Sequence, residues 1–445
     1  MSDEVLIIGG GFAGLTAGVA LAGAGRRVRL LEQKPHLGGR ARSLIDPSTG
    51  TLVDNGQHLF IGCYHATQRF LGEIGTLDRI RFQPRLRLQF LEAAGQLTSL
   101  ECPDLPAPWH LLVGVLRSGS FTWREKFQIL RLGRRLASSL SASSSNGRDR
   151  LTVEDWLAYL GQSEKLRRNF WDLISIAALN EDPRIASALL FERVLRLALL
   201  TSPADSRLGI CRVGLSDCYT VAAKDYIEAR GGLVELGRSV AGLLIKDGVC
   251  EGVKLTDGET LLAGTVLSAV PWLQLLRILP DNLLRSEPFF AGITALRAAP
   301  IISLYLWFDR PVVQVDFAGM RGTTFQWLFD KSSILGSSEH CVSLVLSGAH
   351  AHIDRGKEEL VALALRELGE LLPPVRGTKV IHSLLIKERF ATFSPTWEAE
   401  QVRPSVTTPV RGLYLAGDWT ATGLPATIEG AVKSGYAVAE AILHG

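Results

Sequence analysis

The chain has 445 residues, of which 47% are hydrophobic and 21% charged, with 48 basic against 45 acidic side chains. That length exceeds one compact core and predicts two or three domains, at roughly 100–200 residues each. The composition excludes a disordered chain, and a net charge of +3 gives no reason to expect nucleic acid as a partner. Six cysteines, at 63, 102, 211, 218, 250 and 341, form no CxxC pair, so neither a zinc site nor a redox disulfide is expected. Asp3 and Glu4 lead straight into a strand-like run, so no signal peptide is expected.

Val5–Ile8 is a short apolar run bounded by glycines, as in a buried parallel strand. Leu15–Ala24 is helix-permissive, and Val28–Leu31 reads as a second strand ending at Glu32, which completes a strand–helix–strand unit. From Leu105 to Leu136 the pattern is helical and lopsided in charge. Arg117, Arg124, Lys126, Arg131, Arg134 and Arg135 face one acid, Glu125, among bulky residues such as Trp109, Trp123 and Phe127. Ser138–Gly147 reads as a surface loop and Leu151–Leu200 as helical. Between Leu233 and Pro271 the period changes to short strands, with turns at Asp247-Gly248 and Asp257-Gly258. Phe289–Phe308 has the length of a bilayer span, but Arg297 and Pro300 interrupt it. The β-branched and aromatic run Ile301–Phe308 predicts a buried strand instead. Residues 357–372 form an amphipathic helix, Leu413–Ala416 a strand and Ala426–Leu443 a closing helix.

The glycines of Gly9-x-Gly11-x-x-Gly14 sit between strand and helix. The first suits a tight turn, the second lets backbone approach a pyrophosphate, and the third permits close helix–strand packing. Phe12 and Ala13 lie inside that loop. Glu32 stands 18 residues after Gly14, where a carboxylate accepts ribose hydroxyls and repels a 2′-phosphate. Gln33 follows it.

Further along, Gly38-Gly39-Arg40 resembles the second fingerprint of the amine oxidase and phytoene desaturase superfamily of flavoproteins. Arg230–Val240 resembles the segment that presents backbone to adenine at a residue such as Val240. Gly412–Asp418 resembles the flavin motif in which an aspartate approaches the ribityl chain, and Thr427–Ala431 resembles the helix opening beside the flavin. The resemblance implies FAD, with Gly9, Gly11, Phe12, Ala13, Gly14, Glu32, Gln33, Gly38, Gly39, Arg40, Gly56, Gln57, Val240, Gly417, Asp418 and Ile428 as cofactor-binding residues and no metal. Arg42 offers a second positive charge, and the residues leave open which of the two arginines is solvated. The implied fold is α/β: a Rossmann-like FAD-binding domain from 1–75, 205–275 and 405–445, with an inserted mixed-sheet substrate domain from 76–204 and 276–404. A helical segment over 105–200 is expected to carry a membrane-facing part.

Within that superfamily, Asp54–Tyr64, Ala178–Asn180, Leu304–Pro311 and Ala416–Ala431 resemble the hydroxysqualene dehydroxylases of bacterial hopanoid biosynthesis. Amine oxidases often place a tyrosine just before the helix-opening Glu-Gly-Ala. Here Thr427 and Ile428 precede Glu429, which suits a hydrocarbon better than an amine. The implied reaction is reductive removal of the hydroxyl of hydroxysqualene, an isoprenoid, to give squalene, with the electron donor unknown. A proton donor must help the hydroxyl leave. His58 is the candidate and Tyr64 a weaker one, while Asp54 is expected to anchor its own loop and Asn180 to cap a helix or lie in the core rather than face the substrate tunnel. The basic, tryptophan-bearing stretch 105–136 fits either peripheral docking on the inner face of a membrane by a cytoplasmic protein or an ordinary helix with snorkelling arginines. Two rivals share the fold. One is a carotenoid desaturase running in the oxidative direction, and the other is a prenyl-lipid carrier without catalysis, for which an intact flavin site has no use.

Overall fold

The computed structural model describes residues 4–138 and 150–445. The serine-rich loop expected at 138–147 therefore falls outside the described residues from position 139 onward.

The fold is mixed α/β. A five-stranded parallel sheet has the order Leu233–Leu236, Arg27–Glu32, Glu4–Ile8, Thr265–Ser268, Leu413–Leu415. The amino-terminal strand is central. Val5, Leu6 and Ile7 are all at most 1% exposed because both faces of the sheet are covered. Helices Phe12–Gly23 and Ile428–His444 pack together on one face, with Gly435 where a side chain would strike backbone of the first helix. A three-stranded antiparallel layer, Val240–Lys246, Val249–Leu255 and Thr260–Leu262, packs on the opposite face, against Leu6 and Ile8. Its first hairpin turns at Asp247 and Gly248, both at positive φ (48° and 75°), the mirror-image turn that suits the twist of paired strands.

The second large sheet has seven strands in the order Val380–Phe393, Ala298–Phe308, His340–Ser347, Trp327–Asp330, Phe317–Met320, Arg87–Glu92, Gln96–Glu101. It is mixed: Phe317–Met320 runs parallel to Arg87–Glu92, and the other pairings are antiparallel. The strand Ala298–Phe308 explains the hydrophobic run that mimics a membrane span. Ile302, Leu304, Leu306 and Phe308 point to helix Lys357–Leu371, whereas Tyr305 and Trp307 point to the opposite face against Val53 and Cys341. A strand covered on both faces reads as continuous apolar sequence. It begins before Pro300 rather than after it, and a register shift between Ala299 and Ile301 accommodates the proline. Among the described residues no helix is long and apolar enough to cross a membrane.

The basic stretch forms two helices, Trp109–Arg117 and Trp123–Ser138. The second begins in a reciprocal cap: Thr122 N–H and hydroxyl donate to Glu125, and Glu125 N–H donates back to the Thr122 hydroxyl. Its buried residues Lys126, Ile129, Leu132 and Leu136 recur at helical spacing, which fixes the inward face. Trp123 and Phe127 point outward, 75% and 70% exposed, beside exposed Arg124, Arg131 and Arg134.

Candidate functional site

A single cavity of about 1470 Å³ runs between the two sheets. At one end it is lined by the loop Gly9–Ala13, by Glu32, Gln33, Gly38, Gly39 and Arg40, and by Val240, Gly417, Asp418 and Ile428. Gly56, Gln57 and His58 line the same cavity. It then continues between Leu88, Leu112, Ile129, Trp171 and Leu195 towards the basic helices. Small-ligand pockets usually hold roughly 300–1,000 Å³, so there is room for a cofactor and a second large molecule. The sequence-derived residues therefore converge on one space, with Gly14 the exception. Gly14 packs against the loop instead: a Cβ there would strike the carbonyl oxygen of Gly9.

The loop has the chemistry of a pyrophosphate cradle. Gly11 is the amino-terminal cap of helix Phe12–Gly23, no side chain caps it, and the first turn carries no acid. The N–H groups of the opening turn are thus free for an anion. A Cβ on Gly11 would meet nothing within 4 Å, so the space above the loop is open. The ring of Phe12 points away into the core and stacks on Tyr219 at 3.7 Å between centroids, which leaves its backbone for a ligand. Glu32 is buried, and its two oxygens accept the N–H of Gly10 (2.8 Å) and of Lys34 (2.9 Å). Each carboxylate oxygen keeps lone-pair capacity for a ribose hydroxyl.

At the far end of the cradle Arg40 donates from Nη2 to Asp418 Oδ1 at 2.7 Å and from Nη1 to the carbonyl of Ala391. Its charge is thus aimed at Asp418, an arrangement the glycine–arginine motif alone did not reveal. Asp418 lies in a loop held by Arg403, a residue that sequence reasoning missed. The Arg403 side chain is 1% exposed. It donates to the carbonyls of Asp418 (3.0 Å), Leu424 (2.8 Å), Trp419 (3.4 Å) and Thr420, and pairs with Glu400. The closing helix Ile428–His444 is capped by Thr427, whose hydroxyl accepts Gly430 N–H at 3.0 Å. Buried Glu429 accepts from Ala66 N–H, Thr67 N–H and the Thr67 hydroxyl, which ties this helix to the segment carrying Tyr64.

On the substrate side, no hydrogen-bond partner among the described residues meets the His58 ring or the Tyr64 hydroxyl, and both residues line the cavity. Burial lowers the His58 pKa and nearby Arg40 adds to this, while Asp54 opposes it. A lowered pKa leaves the imidazole neutral at pH 7, a hydrogen-bond donor through one nitrogen. Burial raises the Tyr64 pKa, so its hydroxyl stays protonated. Asn180 ends its helix in the left-handed conformation, its side chain is held by Ala299, Thr392 and Gly348 of distant segments, and it also lines the cavity. Asp54 reaches well beyond its own loop. It accepts from Leu215 N–H and the Ser43 hydroxyl and pairs with buried Lys331 at 2.9 Å.

Two sets of variants probe this half of the cavity. Glu32→Ala is expected to weaken FAD binding by about ten- to a hundredfold, since hydrogen bonds to a charged group are worth roughly 1.5–3 kcal/mol. Gly14→Val is expected to purify without flavin absorbance. Arg403→Met strips several buried acceptors of their donor. Its cost of about 3–5 kcal/mol should appear as a lower unfolding midpoint together with weaker FAD retention. Wild-type flavin content in Gly14→Val would refute the cradle.

The flavin containing amine oxidoreductase family model matches residues 12–443. The chain is 30% identical to a hydroxysqualene dehydroxylase of Sinorhizobium fredii over all of this chain and 99% of that one. It is 26% identical to a 15-cis-phytoene desaturase of Glycine max over 99% of this chain and 79% of the relative. Among solved structures, an oxidoreductase from Methanosarcina mazei superposes with a TM-score of 0.76 at 18% identity, covering 98% of this chain and 100% of the other. The glycine loop at the head of the first helix, the buried acid beside it and the Arg40–Asp418 pair have the chemistry an FAD site needs, and the chain belongs to the flavin containing amine oxidoreductase family as an FAD-dependent oxidoreductase.

Proposed function

We propose that the protein removes the hydroxyl group of hydroxysqualene reductively and releases squalene. The observation that carries this reading is the cavity itself, which joins the FAD cradle to a long apolar passage with few polar groups. The full-length match to a hydroxysqualene dehydroxylase supports the same substrate class. When bound, reduced FAD supplies the hydride that replaces the hydroxyl. The protein's task is then to orient the chain, exclude water and help the oxygen leave. Loss of hydroxide is unfavourable, so the leaving oxygen must receive a proton and depart as water. His58 and Tyr64 present unpaired donors to the cavity, and either group can hold the substrate hydroxyl. The neutral state of His58 suits a hydrogen-bond donor better than an imidazolium acid. A dry apolar wall keeps water from competing for a developing allylic cation.

Access to a greasy substrate fits the outward face of the basic helices. Trp109, which lines the cavity, is 59% exposed, and Trp123 and Phe127 are more exposed still. Burying one such side chain in lipid gains roughly 1.5–3 kcal/mol, and each arginine near an anionic surface adds about 1 kcal/mol. Arg117, Arg124, Arg131 and Arg134 are exposed on these helices. The protein on this reading rests on the cytoplasmic face of a membrane and takes substrate directly from the bilayer. The relatedness to phytoene desaturases favours one other reading, dehydrogenation of a carotenoid precursor by oxidised flavin.

Anaerobic incubation of the chemically reduced enzyme with hydroxysqualene should yield squalene, detected by gas chromatography with mass spectrometry. Phytoene with oxidised enzyme should be unchanged. In the same assay His58→Leu, which removes the hydrogen-bond donor, should lose about tenfold in rate, for a bond worth roughly 0.5–1.5 kcal/mol. No squalene from the wild type, with phytoene converted, would establish the desaturase reading instead. In flotation, the wild type should rise with vesicles containing phosphatidylglycerol, and Trp123→Ser/Phe127→Ser should stay below. A wild-type protein that sinks with both anionic and neutral vesicles would eliminate the docking reading.

A further inference from the structure

Across the cavity wall from the cradle lies a buried polar cluster that the proposed chemistry does not use. Lys331 is the first residue of the short helix Lys331–Leu335, and Asp330 caps that helix by accepting Ser332 and Ser333 N–H. The Lys331 side chain is 3% exposed, with Nζ 2.9 Å from Asp54 Oδ2 and 3.3 Å from Gln57 Oε1. The other end of the Gln57 amide donates from Nε2 to the Tyr305 hydroxyl at 2.8 Å. Tyr305 in turn donates to the backbone carbonyl of Asp54 at 2.6 Å. Gln57 is thus gripped at both ends by residues of the seven-stranded sheet and its following helix. It occupies the turn in which Gly56, Gln57 and His58 line the cavity.

We infer that Lys331 is a positioning residue, fixing the Gly56–His58 turn as a rigid wall of the cavity through Gln57. An amide engaged at both its oxygen and its nitrogen has one orientation, so the neighbouring backbone cannot rotate. A buried ammonium–carboxylate pair is a costly way to obtain stability alone, because apolar residues of similar volume usually do as well or better. What apolar residues cannot supply is a donor for Gln57 Oε1. The cluster also joins segments far apart in sequence: Asp54 holds Ser43 and Leu215 on one side, and Lys331 and Tyr305 come from the other.

The inference rests on the FAD site rather than on the substrate, so its first readout is the visible absorption of bound FAD, which needs no turnover. Lys331→Met leaves Asp54 unpaired and should lower the unfolding midpoint. Lys331→Met/Asp54→Asn removes both charges, and an asparagine oxygen can still accept from Ser43 and Leu215. It should regain much of the midpoint, yet keep a shifted flavin band and a rate about ten- to a hundredfold low with KM within about twofold, the size expected of a slight misplacement. Tyr305→Phe releases the other end of Gln57 and the Asp54 carbonyl without altering charge, and should shift the band with a smaller fall in midpoint than Lys331→Met. A double variant with the wild-type spectrum and rate would show that the pair serves stability alone. A Tyr305→Phe variant matching the wild type in both would equally overturn the inference, even where the double variant fails to fold. Absence of hydroxysqualene turnover in the wild type would count against the proposed substrate and leave the spectral comparison intact.

Discussion

A carboxylate removed from water must find its charge and its hydrogen bonds inside the protein, and at Asp54 that requirement draws the two large sheets together. Oδ1 is satisfied by Ser43 and Leu215, beside the cofactor end of the molecule. Oδ2 is satisfied by Lys331, which follows a strand of the seven-stranded sheet. Loss of Lys331 leaves the buried charge unpaired, at about 3–5 kcal/mol, and loss of Ser43 and Leu215 strips Oδ1 of its donors. The cavity runs between these anchored sheets, so its shape depends on a junction that is electrostatic rather than greasy.

The two ends of the cavity follow different physical rules. Around the cradle, backbone N–H groups, a buried acid and an arginine–aspartate pair offer directional contacts to a charged, polar cofactor. Along the passage, Leu112, Ile129, Trp171 and Leu195 offer area without direction. A passage of that kind selects a ligand by length and shape, with few polar groups at its boundary with the cradle. The unpaired donors of His58 and Tyr64 occupy that boundary.

Much of the cradle was legible because its signals are local. The run Val5–Ile8, three spaced glycines and Glu32 lie within one strand–helix–strand unit, and Asp247-Gly248 names its own turn. The strand Ile301–Phe308 was recognisable from its β-branched and aromatic residues, though its start before Pro300 depends on a bulge set by the neighbouring strand. Arg403 and Lys331 were illegible for the opposite reason. Arg403 stands in Gln401-Val402-Arg403-Pro404 and Lys331 before Ser332-Ser333, settings typical of solvated surface charges. Lys331 is buried only by meeting Asp54 and Gln57, 277 and 274 positions away, whereas Arg403 is buried by an irregular loop 15 to 21 residues further on that carries no periodic signal. The Arg40–Asp418 pair belongs to the same class, since each partner was marked by a motif and their meeting by none.

The parallel sheet that carries the cradle is assembled from both extremes of the chain, with Glu4–Ile8 at its centre and Leu413–Leu415 at its edge. During synthesis the glycine loop emerges early, while Asp418 and the closing helix emerge hundreds of residues later. The central strand gains its neighbour Arg27–Glu32 early, but Thr265–Ser268 on its other side and the closing helix over one face come hundreds of residues later. The Arg40–Asp418 pair can close only once residue 418 has been made.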